Sequence, residues 1–306
     1  MSTHSAPAKA TVSSLQAMKR RGGRIVMLTA YDCPTARLED EAGVDVVLVG
    51  DSVGTNILGY RTPQQVTMAD MLHHVRAVRR GVSRAFLLAD MPFMSYQVSA
   101  EAAVANAGRL VQEGGAEGVK LEGGSAVLPQ IEAIVRTGIP VMGHLGFSPQ
   151  SQSGDLYAFS DARGTVARYQ AKGPTGARHL LEQAQRLEQA GVFGIVLEMV
   201  TEEAAEAVAR HLEVPVIGIG AGRRCDGQVL TVTDVAGWSD QELRFARAWA
   251  HWRGDLVSAV QAYCEAVRQG AFPDEVNVVH MQADKAARLR QALADDAPAP
   301  ADETEG

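Results

Sequence analysis

Five short apolar runs in this chain each end in residues able to do acid–base or metal chemistry. Val46-Val47-Leu48-Val49 runs into Gly50-Asp51-Ser52, and Phe86-Leu87-Leu88-Ala89 into Asp90. Gly118-Val119 leads to Lys120-Leu121-Glu122, Pro140-Val141-Met142-Gly143 to His144, and Ile195-Val196-Leu197 to Glu198. Asp51 and Asp90 offer the oxygen ligands a hard divalent cation takes, and Glu122 adds a third carboxylate, directly or through water. Lys120 and Glu122 stand two apart on a strand and therefore share a face. A lysine buried beside carboxylates needs a partner, and a substrate carboxylate is a natural one. Glu198, with no basic residue near it in sequence, suits a general base. His144 suits donation to a substrate or orientation of a ligand. Caps and ordinary ion pairs would account for any one of these residues; three acids on three strand ends favour chemistry.

The elements that must position them follow from the pattern. Each run has the length and aliphatic content of a buried parallel strand. Strands are expected at Ile25–Thr29, Asp45–Val49, Phe86–Ala89, Gly118–Leu121, Val141–Gly143, Gly194–Leu197, Val216–Ile219 and Val229–Val232. Helices are expected at Pro34–Ala42 after an Asp32 cap, Met68–Arg80 after Thr67, Ser99–Glu113, Ala177–Ala190, Glu202–His211 and Asp255–Gln269. Eight strands alternating with helices predict an α/β fold, a (β/α)8 barrel, whose C-terminal strand ends gather on one face. The barrel domain is expected over residues 15–281, after a disordered arm (1–14) and before a helical extension with a disordered acidic tail (282–306). The long polar stretch Ser148–Gly173 follows His144 and has the character of a lid. Gly218-Ile-Gly-Ala-Gly222 reads either as a phosphate cradle or as a tight turn.

Composition narrows the function classes. Net charge is −7 over 306 residues, and Asp295, Asp296, Asp302, Glu303 and Glu305 crowd the last twelve, so the body is nearer neutral. Scattered basic residues give no nucleic-acid footprint. Cys33, Cys225 and Cys264 lack metal-site or disulfide spacing, which fits reduced thiols in a cytoplasmic protein. No stretch reads as a signal peptide or a membrane span.

Seven motifs stand in order: Thr29-Ala-Tyr-Asp32, Asp45 to Gly54, Asp90-Met-Pro-Phe-Met-Ser-Tyr96, Val119-Lys-Leu-Glu-Gly123, His144-Leu-Gly-Phe-Ser-Pro-Gln-Ser151, Leu197-Glu198, and Gly218 through Val229. Together they resemble the ketopantoate hydroxymethyltransferase family, from about Leu15 to Pro273. The resemblance implies a barrel related to phosphoenolpyruvate mutase and isocitrate lyase. It implies 3-methyl-2-oxobutanoate as acceptor, 5,10-methylenetetrahydrofolate as donor, a required Mg²⁺, and a homo-oligomer, often a decamer. By motif, Asp51 and Asp90 resemble the metal ligands with Glu122 completing the shell. Asp51, Ser52, Asp90 and Lys120 resemble the groups holding the 2-oxo acid, and Glu198 the proton acceptor.

The chain departs from the family's usual pattern at Pro63-Gln-Gln-Val-Thr67, at Leu197-Glu-Met-Val-Thr201, in a longer 152–169 segment, and at Arg223-Arg224. None removes a carried-over residue. A related C–C lyase or mutase would carry a reactive Cys after Lys120-Leu-Glu122, and the loop there has none. A non-catalytic metabolite-binding paralogue would have lost a ligand or the base, and all are present.

Overall fold

The computed structural model describes residues 8–151, 169–238 and 243–295. Eight parallel strands close into a barrel in chain order: β1 (Ile25–Thr29), β2 (Val46–Val49), β3 (Phe86–Asp90), β4 (Gly118–Glu122), β5 (Val141–Gly146), β6 (Gly194–Glu198), β7 (Val216–Ile219) and β8 (Gly227–Leu230). β8 pairs back onto β1 with Met27 beside Val229. The helices are α1 (Val12–Arg20), α2 (Cys33–Ala42), α3 (Val53–Asn56), α4 (Met68–Arg79), α5 (Ala100–Gln112), α6 (Leu128–Arg136), α7 (Pro174–Gln189), α8 (Glu202–His211), α9 (Val232–Ala236), α10 (Trp252–Arg268) and α11 (Ala283–Asp295). Local chemistry sets their starts. Asp32 accepts the Thr35 amide at 2.8 Å, and Thr67 and Asp70 form a reciprocal capping box at the head of α4.

Alternation along the strands sorts the apolar residues into two cores. Met27, Val46, Leu48, Phe86, Leu88, Met142, Val196, Ile217 and Val229 form the barrel interior. Val47, Val49, Leu87, Val119, Leu121, Ile195 and Leu197 belong to the outer layer, with Val75, Leu110, Ile134, Leu187 and Val208 of the helices. Side chains repeat every second residue on a strand face. One inward step beyond Leu88 is Asp90, beyond Met142 is His144, and beyond Val196 is Glu198. Lys120 and Glu122 share this inward parity on β4. The same periodicity that builds the dry lower barrel therefore aims the polar residues into its mouth.

Two expectations need correction. Residues 8–14 are not a disordered arm. Ala10 is buried and its amide donates to the Arg84 carbonyl, and Thr11 caps α1. Leu15 of α1 joins the interior core, closing the barrel opposite the polar mouth. Lys19 ties α1 down through the Ala209 and Val214 carbonyls at 2.8 and 2.9 Å and Asp226 at 2.8 Å. The last strand begins two residues earlier than expected and ends at Leu230, because Thr231 caps α9 by accepting the Asp234 amide. The lid expected within Ser148–Gly173 falls mostly on 152–168, outside the described residues.

The chain divides after His251 into two compact units. α10, which the sequence reading counts with the barrel domain, lies in the second. Within that unit the Tyr263 and Phe272 rings meet edge-on at 5.7 Å, and neither α10 nor α11 has a buried residue. Among the described residues, no helix is long and apolar enough to cross a membrane.

Glu39 of α2 breaks the usual rule for buried charge. Its carboxylate oxygens are sealed without a hydrogen-bond partner among the described residues. Burial, helped by the charge of Asp32, pushes its carboxyl from 4.5 up to about 8. The unfolded chain gives up this proton first as pH climbs, so stability held below 4.5 is lost up to about pH 8. Glu39→Gln removes that dependence. The variant should gain on the order of 2–4 kcal/mol over the parent between pH 4.5 and 8, read as the difference in urea midpoints.

Candidate active site

The strand register sets Asp90 beside Lys120 and Glu122 beside His144, with Gly146 beside Glu198 on the next pair. The Lys120 ammonium lies 2.8 Å from Asp90 Oδ1. The other Asp90 oxygen accepts the backbone amide of Asp51 at 3.1 Å, joining the ends of β2 and β3. His144 stands between two acids, its Nδ1 3.5 Å from Glu122 Oε1 and its Nε2 3.3 Å from Glu198 Oε2. Neither ring nitrogen makes a hydrogen bond of good geometry, although both are sealed from solvent. Asp51, Asp90, Lys120, Glu122 and His144 are buried, whereas Glu198 and Ser52 keep partial exposure.

Electrostatics follow from this crowding. Burial, then the charges of Asp90 and Glu122, push the Asp51 carboxyl well above its ordinary range. Burial raises Asp90 as well, against the opposing pull of Lys120. Lys120 is disfavoured by burial, but Asp90, Glu122 and Asp51 more than offset this and hold its proton tightly. Burial and Lys120 oppose charge on His144, yet its two carboxylate neighbours raise it to about 9. Four carboxylates thus share one lysine and one imidazole. The deficit of positive charge is what a divalent cation would cancel.

The donor set fits such an ion. Asp51 and Asp90 are adjacent hard-oxygen donors at one side of the mouth. Glu122 is turned elsewhere, one oxygen toward His144 and the other accepting the Gln150 amide at 3.0 Å. Among the described residues, no three His, Cys, Asp or Glu side chains converge as a ready-made cage. Mg²⁺ needs none, since it is commonly held by one or two carboxylates together with water and substrate oxygens.

Ser52 turns toward β1. Its hydroxyl is 2.8 Å from the Tyr31 phenol, which also receives Thr29 Oγ1 at 3.0 Å and Asn56 Nδ2 at 3.3 Å. Burial above all pushes the Tyr31 phenol up to about 12, so it stays neutral. Glu198 is set by a cramped junction of β5 and β6. The Phe147 amide donates to the Glu198 carbonyl at 2.8 Å, and a Cβ on Gly146 (φ +96°) would collide with that carbonyl. Met199 then takes a left-handed turn, φ +48°, unusual for a side-chain-bearing residue and common where a site is held under strain.

The glycine run after β7 is a tight turn and not a phosphate cradle. A Cβ on Gly222 (φ +75°) would stand 2.6 Å from the Glu202 side chain, and Glu202 Oε2 accepts the Arg223 amide at 3.1 Å. The chain's own carboxylate already occupies the place an anion would take. Two residues that sequence reasoning left without a role do enter the site: Tyr96, whose hydroxyl receives the Glu122 amide at 3.2 Å, and Gln150. Both lie inside motifs that carried the family resemblance.

The closed parallel (β/α)8 barrel is a fold this chain shares with solved members of the phosphoenolpyruvate mutase and isocitrate lyase superfamily. A phosphonopyruvate hydrolase solved with oxalate and Mg²⁺ superposes with a TM-score of 0.56 at 14% identity, covering 94% of this chain and 96% of that one. A 2,3-dimethylmalate lyase of that superfamily gives 0.53 at 15% identity, covering 95% and 99%. The sequence is more specific. Residues 9–275 match the profile of ketopantoate hydroxymethyltransferase, and the chain belongs to that family. Its curated relatives include the 3-methyl-2-oxobutanoate hydroxymethyltransferases of Syntrophus aciditrophicus (strain SB) and Aeropyrum pernix. The first is 46% identical over 90% of this chain and 98% of the relative. The second is 50% identical over 88% and 95%.

Proposed function

We propose that this chain moves a hydroxymethyl group from 5,10-methylenetetrahydrofolate to 3-methyl-2-oxobutanoate, forming ketopantoate for pantothenate biosynthesis and consuming one water. The observation that carries the reading is the placement of Glu198. It stands beside a histidine on one side of a mouth whose other side holds the Asp51, Asp90 and Lys120 cluster. Lys120 meets the substrate carboxylate while keeping its bond to Asp90. Ser52, held by Tyr31, contributes a hydroxyl at the same end of β2. Glu198 takes the C3 proton, and His144, charged and wedged between Glu198 and Glu122, keeps the base aimed inward. A Mg²⁺ held by Asp51 and Asp90, with Glu122 behind them, would draw charge from the 2-oxo oxygen as that proton leaves. The carbanionic C3 then bonds to the folate methylene, and water supplies the hydroxyl as tetrahydrofolate departs. The family resemblance also supports a cytoplasmic homo-oligomer.

A lyase or mutase reading is disfavoured by the loop after β4, Gly123-Gly124-Ser125, which has no thiol. Cys225 is buried and shut against Gly218. The deciding experiment follows C3 proton exchange of 3-methyl-2-oxobutanoate in D₂O by NMR, with and without Mg²⁺, then adds the folate donor. Metal-dependent exchange followed by ketopantoate formation is expected. Exchange without product would remove the donor assignment, and no exchange would remove the acceptor.

A further inference from the structure

Gln150 is 2% exposed and engaged at every hydrogen-bonding atom of its side chain. Its Nε2 donates to Asp51 Oδ2 at 2.8 Å and to the Met91 carbonyl at 3.0 Å. Its Oε1 accepts the Tyr96 hydroxyl at 2.7 Å and the Gln97 side-chain amide at 3.3 Å. Its backbone amide separately reaches Glu122 Oε2 at 3.0 Å. It sits on the single turn Pro149–Ser151 after β5, where proline fixes φ at the first position. One residue thus touches the segments that follow β2 and β3 and the end of β4.

The amide orientation is forced. Reversing it would set Oε1 against the Asp51 carboxylate and the Met91 carbonyl, both acceptors. A donor is therefore fixed against one oxygen of Asp51, the carboxylate crowded by Asp90 and Glu122. We propose that Gln150 is a positioning residue that pins Asp51 Oδ2 and so presents the Asp51 carboxylate to a divalent cation. The inference rests on the metal reading above. A purely structural glutamine would need only satisfied bonds. This one spends its strongest donor on a proposed metal ligand, and outer partners of that kind commonly tune metal affinity.

The test is Mn²⁺ titration of the full chain in the presence of 3-methyl-2-oxobutanoate, with free Mn²⁺ read by electron paramagnetic resonance. Gln150→Met keeps the backbone bond to Glu122 and removes the side-chain donor to Asp51, together with the acceptor that Tyr96 and Gln97 use. It should weaken Mn²⁺ binding by about 10–100-fold while circular dichroism shows a folded protein. A folded variant with parental affinity overturns the inference and leaves the metal reading standing. A parent chain that binds no Mn²⁺ overturns both. Should Gln150→Met fail to fold, Gln150→Asn keeps the amide but draws it back from Asp51. It is expected to weaken binding about tenfold, and parental affinity there is equally fatal to the inference.

Discussion

Glu198→Gln should cut metal-dependent C3 exchange of 3-methyl-2-oxobutanoate by about 10³-fold, within the range a positioned general base contributes. The substitution keeps size and shape and removes only the ability to take a proton. Glu198 has a partly exposed side chain and the His144 contact at 3.3 Å, so the barrel should melt as before. Substrate binding should also change little, because the Asp51, Asp90 and Lys120 cluster is separate from the base. Ketopantoate formation should fall as well, since bond formation needs the carbanion first. Exchange at the parental rate in the variant would place the base elsewhere. Glu122, on the far side of His144, would then be the residue to replace next.

Lys120→Met should lower stability by about 3–5 kcal/mol, the usual cost of stranding one member of a buried ion pair. Lys120 has a side chain 7% exposed and an ammonium 2.8 Å from Asp90, and it is the cation that Asp90, Glu122 and Asp51 share. Without it, Asp90 is a buried carboxylate facing two others. Urea unfolding in the presence of a chelator isolates this effect from metal binding. The loss should shrink as pH falls and Asp90 takes a proton. Adding Asp90→Asn to Lys120→Met should restore most of the stability and none of the activity. Full additivity of the two losses would show that the pair is not coupled in solution. Isothermal titration with the 2-oxo acid should find binding abolished in both variants.

The sequence exposed the barrel because period-two alternation and strand-end polarity are local signals. Glu198, His144 and Asp90 could be placed from their neighbours alone, since each lies one inward step above an apolar residue. What escaped depended on information from elsewhere in the chain. α6 starts at Leu128 with no side-chain cap, so only Pro129 in its first turn and the spacing of Ile131 and Ile134 announced it. α1 hid behind Ser- and Thr-rich composition, and its order comes from Leu15 entering a core built by strands far along the sequence. Gln150 carries no charge and no periodic mark. Its value arises only where β2, β3 and β4 end side by side, and Pro149 was the sole local hint of a fixed turn. Glu39 went unseen for the same reason: an acid on a helix looks solvated until the packing around it is known.

The parity rule that aims the site inward also sets which changes in chain length this family can absorb. Gaining or losing one residue inside β4 would turn Lys120 and Glu122 out among the helices and bring Val119 and Leu121 into the mouth, erasing several functional groups in one event. The same insertion a few positions further on, past the strand's last hydrogen bond, would leave every inward residue in place. Length variation among descendants should therefore gather beyond the strand ends. Between Gly118 and Glu122 the spacing itself is as binding a constraint as the lysine and the carboxylate it delivers.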